Sequence, residues 1–77
     1  MTRTEAKDPA LAAFGQQVRK ARIRAGKRVV EFAAEIEVSR WTLQDVESGR
    51  AQASDVVYWR IANALELDPT PVLREVS

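Results

Sequence analysis

The chain is predicted to fold as one all-α domain, a compact body of five helices. Apolar residues recur at helical spacing along most of its length, as in Leu11, Phe14, Val18 and Ala21. Polar caps and glycines punctuate those stripes at the places where helices begin and stop. No stretch alternates apolar and polar residues long enough to make a convincing strand.

Residues 1–7 carry little apolar character and are expected to form a flexible arm, with the domain proper over 8–77. Asp8-Pro9 opens the first helix, Asp as the cap and Pro at the first helical position, where its missing N–H is no loss. That helix runs to Ala25, and Gly26 stops it in a left-handed conformation. Gly15 lies inside it at a cost of ~1 kcal/mol relative to Ala, so a close neighbour is expected there. A second helix covers about 29–36, and Glu37-Val38 makes a turn. Ser39 caps a third helix, Arg40 to Ser48, which Gly49 ends. Ser54 caps a fourth, with Asp55 in its first turn on the favourable side of the helix dipole. It buries Tyr58, Ile61, Ala62 and Leu65 and runs to about Glu66. Asp68-Pro69 breaks it, and Thr70-Pro71 starts a last short helix carrying Val72, Leu73 and Val76.

Seventy-seven residues hold one modest core. The absence of Cys and His excludes disulfides, thiolate redox chemistry and zinc fingers, and no metal or cofactor is expected. No apolar run approaches the roughly 18–20 residues of a membrane span. A soluble, cytoplasmic protein is the expectation. An enzyme has little support: there is no glycine-rich phosphate loop and no nucleophile beside a base. Glu31 and Glu35 are four residues apart, which on a helix face usually means solvated charge.

The segment Val29 to Ser48 is the informative one. Phe32, Ala33 and Ile36 make one stripe and Leu43 and Val46 another, with Val38 in the short break between them. Ala33 supplies the small side chain needed where two tightly joined helices cross. Two steeply crossed helices joined by a three- or four-residue turn form the unit whose second helix enters the major groove of DNA. The charge pattern is mixed. Arg19, Lys20, Arg22, Arg24, Lys27 and Arg28 form a basic block without an acid. In the motif itself Arg40 stands alone against Glu31, Glu35, Glu37, Asp45 and Glu47, although phosphate binding normally needs several cations on the docking face.

Over residues 11–76 the chain resembles the lambda-repressor-like, Cro/Xre-type helix-turn-helix domain. The resemblance is carried by Phe14-Gly15, Val18-Arg19, Arg22, Gly26, Phe32-Ala33, Val38-Ser39, Thr42-Leu43, Glu47, Gly49-Arg50 and Ser54, then Arg60-Ile61-Ala62, Ala64-Leu65, Leu67-Asp68 and Leu73. It implies a structural ion pair between Arg22 and Glu47, tying the first helix to the end of the third. The chain also departs from the family's pattern. Val29 stands where a Gln usually bridges phosphate and recognition helix, Arg28 where a Ser or Thr usually caps, and Ala53 where a Pro is common. Glu37 replaces the usual turn Gly and must tolerate positive φ, at roughly 1–2 kcal/mol.

On the third helix, the positions not taken by Leu43 and Val46 face outward: Arg40, Trp41, Gln44 and Asp45. Arg40 suits guanine O6 and N7, Gln44 adenine N6 and N7, and Asp45 cytosine N4; Trp41 suits a thymine methyl or a protein partner. Phosphate contacts are expected from Arg19, Arg28, Ser39, Thr42, Arg50 and Gln52, with Arg28 placed to replace the lost Gln contact.

The implied function is a sequence-specific DNA-binding transcriptional regulator, a small repressor or a restriction–modification controller. It would bind a double-stranded operator as a homodimer, with Val57, Trp59, Val72 and Val76 at the subunit contact. The alternative is a protein-binding module of the same fold, such as an antitoxin or an anti-regulator, favoured by the acidic motif, the lost Gln and Trp41. No membrane partner is expected.

Overall fold

The computed structural model describes residues 8–74. The expected arm over 1–7, and Val76, lie outside them. The elements are α1 (Pro9–Arg24), α2 (Val29–Glu35), α3 (Arg40–Ser48), α4 (Asp55–Leu65) and a 3-10 turn (Thr70–Val72).

The caps follow local chemistry. Asp8 Oδ1 accepts from the Ala10 N–H at 2.8 Å, Ser39 Oγ from Thr42 at 3.0 Å and Ser54 Oγ from Val57 at 3.3 Å. Each side chain satisfies a donor that a helix start would otherwise leave orphaned. Arg28 precedes α2 but carries no acceptor, so Glu31 Oε1 reaches back to the Arg28 N–H at 3.0 Å, the second half of a capping box. The α2–α3 turn is a Schellman closure. Glu37 takes the left-handed residue at φ 61°, and the Val38 N–H bonds the Ala33 carbonyl at 3.0 Å.

Ten side chains from every element form the core: Phe14 and Val18, Phe32, Ala33 and Ile36, Leu43 and Val46, Tyr58 and Ile61, and Val72. Phe14 and Tyr58 meet edge to face, centroids 5.6 Å apart. α1 lies against α3, and Gly15 is the reason it can. A Cβ there would press into the Val46 carbonyl oxygen and stand 2.6 Å from that of Glu47. The close neighbour expected of Gly15 is the last turn of α3.

The fifth helix is a correction: among the described residues there are four α-helices and one 3-10 turn. Pro69 and Pro71 remove two N–H donors from so short a segment. The remaining bonds, Val72 to the Pro69 carbonyl and Leu73 to that of Thr70, close three-residue loops rather than helical ones. Leu73 is already extended, at φ −73° and ψ 142°. Val72, expected at a subunit contact, is 3% exposed and lies in the monomer core.

Candidate nucleic-acid interface

α3 owes its orientation to two residues with almost no exposure, Leu43 and Val46, which face α1 and α2. With those anchored and Ser39 holding the first turn, Arg40, Trp41 and Gln44 are exposed. Trp41 is 63% exposed, the largest value among the described bulky apolar side chains. Its ring is not bare: the Arg40 guanidinium lies over it, Cζ 4.6 Å from the centroid. A guanidinium held over a ring loses less freedom when it bonds a base. Asp45 is half-buried and stands 3.7 Å from Arg50 Nη1.

The residues expected at phosphate fall into three groups. Arg19 is exposed and lines a hollow of about 400 Å³ with Gln44, Val29, Glu47 and Ser48, beside the outer face of α3. Arg28 and Arg50 are also exposed. Ser39 and Thr42 bond each other, Oγ donating to Oγ1 at 3.0 Å, so Ser39 spends its hydrogen inside the cap. Gln52 lines a hollow with Thr42 and Asp45 of α3, but its amide is already engaged. Its Nε2 donates to the Val72 carbonyl at 2.7 Å and ties the α3–α4 loop to the 3-10 turn. Gln52 therefore acts first as a brace for the chain's C-terminal segment.

Arg22 and Glu47 are bonded at two points, and Arg22 Nη1 also donates to the Lys27 carbonyl at 2.9 Å. One side chain thus joins α1, the α1–α2 corner and α3. The contact fixes the C-terminal end of the helix whose other end carries Arg40.

Each acid of the motif has a partner. Glu31 accepts the Arg28 N–H, and Glu35 accepts from Lys27 Nζ at 2.6 and 2.8 Å. Glu37 Oε1 lies 3.9 Å from Arg60, Asp45 pairs with Arg50, and Glu47 with Arg22. Four of these carboxylates, at Glu35, Glu37, Asp45 and Glu47, are offset locally by cations from outside the motif, while Glu31 meets only a backbone N–H. The pairs of Arg22 with Glu47 and of Arg60 with Glu37 join residues far apart in sequence, and their separations carry no periodic signal. The exposed Asp45–Arg50 pair is weak, so Arg50 can be exchanged to phosphate at little loss.

On α4 the outward pair is Val56, 60% exposed, and Trp59, 48% exposed, three residues apart on one face. Val57 is half-buried against the core, which makes it a support for that face. Val56 carries no periodic signal of its own. Only the rotation of α4 onto Tyr58, Ile61 and Ala62 brings it beside Trp59.

A family model described as a helix-turn-helix domain matches residues 13–75. Four solved chains match this one. One is the restriction-modification controller protein C.AhdI from Aeromonas hydrophila, similar at a TM-score of 0.69 and 29% identity, over 80% of this chain and 94% of that chain. No curated protein matches significantly.

Proposed function

The chain belongs to the helix-turn-helix domain family in its lambda-repressor-like, Cro/Xre-type form, a DNA-binding transcription regulator, and from that premise we propose a sequence-specific repressor. It seats α3 in the major groove and works as a homodimer on a two-fold operator.

One observation carries this reading: α3 buries Leu43 and Val46 and leaves Arg40, Trp41 and Gln44 exposed on its first two turns. Arg40, braced on Trp41, forks to guanine, and Gln44 takes adenine. Asp45 accepts from cytosine N4 once Arg50 moves to a phosphate. Arg19, Arg28 and Arg50 hold the backbone and set the register, with Ser39 and Thr42 at the helix start. A single domain of this size reaches one half-site, so two-fold pairing is required for an operator. Val56 and Trp59 on α4 supply the subunit contact. C.AhdI is a restriction-modification controller protein, and its likeness to this chain supports a controller role of that kind.

A protein partner is the second reading, favoured by the exposure of Trp41, since exposed Trp anchors many protein interfaces. Selection from random duplexes at two salt concentrations separates the two. A palindromic consensus with half-sites about one helical turn apart supports the repressor. No enriched sequence, together with a stable complex with a protein encoded beside this gene, supports the alternative.

A further inference from the structure

The turn that sets α3 on its course is an expensive piece of backbone. α2 has seven residues, so most of its carbonyls lack a partner within the helix. The chain then bends at Glu37 with φ 61°, a conformation that L residues other than Asn and Asp rarely adopt. Nothing within α2 or α3 satisfies the Ile36 and Glu37 carbonyls; the donor comes from α4. Arg60 Nη1 bonds both, at 3.3 Å to Ile36 and 3.1 Å to Glu37, and stands 3.9 Å from the Glu37 carboxylate.

We propose that Arg60 is a positioning residue for the recognition helix: it latches the α2–α3 turn to α4 and thereby fixes the angle at which Arg40 and Gln44 are offered to DNA. The second half of that statement rests on the DNA-binding reading, and the first does not. Arg60 acts through the turn carbonyls, with its guanidinium at the rear of the motif rather than on α3. A lost latch frees the turn and lets α3 sample orientations that do not match the groove, while the core is kept by Leu43, Val46, Ile61 and their neighbours.

The test compares Arg60→Ala, Arg60→Lys and the double change Arg60→Ala with Glu37→Gly. Amide hydrogen exchange is read in the free protein, and binding to a selected duplex is read across a salt series. In Arg60→Ala, exchange at the Glu37 and Val38 amides is expected to quicken about tenfold, the scale of a charge-assisted hydrogen bond, while the amides of Val18 and Ile61 keep their rates. Duplex affinity is expected to fall about tenfold with an unchanged salt slope, because no phosphate contact is lost. Lys keeps a donor and recovers part of both effects. Gly at 37 occupies positive φ without steric strain and recovers part as well. Unchanged exchange at Glu37 and Val38, or equal acceleration throughout the core, overturns the latch. A salt slope reduced by about one charge also overturns it, since Arg60 would then be a phosphate contact. If the parent chain binds no duplex, the DNA reading fails, and the exchange measurement alone decides for or against the latch.

Discussion

Arg22 of α1 grips Glu47 of α3 at two points, Nε to Oε2 at 2.6 Å and Nη2 to Oε1 at 3.0 Å, with both side chains 9% exposed. Desolvation makes the pair a modest net contributor but makes either half alone costly. Glu47→Ala is expected to lower unfolding stability by about 3–5 kcal/mol, because the guanidinium keeps only the Lys27 carbonyl. Replacing both members by apolar residues of similar volume, Arg22→Met with Glu47→Leu, should cost far less. Urea unfolding of the three variants checks this. A Glu47→Ala loss below about 1 kcal/mol means that the pair behaves as an exposed one.

Asp45 places a carboxylate on the proposed docking face and holds Arg50 at 3.7 Å. Asp45→Asn removes that charge and releases the guanidinium. Binding to unrelated duplexes should tighten, discrimination against them should fall, and the salt slope should steepen by about one charge. Fluorescence anisotropy at several salt concentrations measures all three. An unchanged slope would mean that Arg50 does not reach phosphate.

Most of the helical frame was legible because its signals are local. Asp8, Ser39 and Ser54 mark starts, Gly26 and Gly49 mark stops, and Gly15 announced a contact that proved to be the end of α3. Glu37 was recognisable as a strained turn for the same reason. The last helix was misread because Val72, Leu73 and Val76 have helical spacing, while the prolines at 69 and 71 limit the hydrogen bonds that spacing needs. Interactions between elements were the hidden part. Lys27 with Glu35, Gln52 with the Val72 carbonyl and Arg60 with the turn all depend on packing that no one segment encodes. The acidic motif therefore looked more hostile to DNA than its paired carboxylates are.

Tyr58 predicts an alkaline limit to stability. Its ring is buried and its hydroxyl accepts the Ala53 N–H at 3.0 Å. Burial pushes the phenol above its ordinary 10.0; the Ala53 bond pulls the other way, and the charges of Asp55 and Asp8 add to the rise. With the folded value raised, the unfolded chain releases this proton first. The contribution is thus complete below about pH 10 and is lost as pH rises through the folded value. Tyr58→Phe should remove this alkaline decline, and at neutral pH it should cost about 1–3 kcal/mol by stranding the Ala53 amide. Thermal unfolding of both proteins from pH 8 to 11 tests the pair of effects; parallel curves would mean that Tyr58 is not the titrating group.

Trp59 and Val72, both expected at a subunit contact from the sequence, fall one on the surface and one in the core. Trp59 is 48% exposed beside Val56, and Val72 is 3% exposed. Trp59→Glu places a charge on the outer face of α4, where a second copy would have to desolvate it. The variant should keep its helical circular dichroism and sediment as a monomer at concentrations where the parent pairs. On a full operator it should lose the gain from two-site binding while retaining weak half-site affinity. Val72→Ala should instead lower stability by about 2–3 kcal/mol, since it removes two buried carbons and opens space among buried neighbours, with little change in self-association of the folded fraction. A Trp59→Glu protein that still pairs would move the subunit contact off α4.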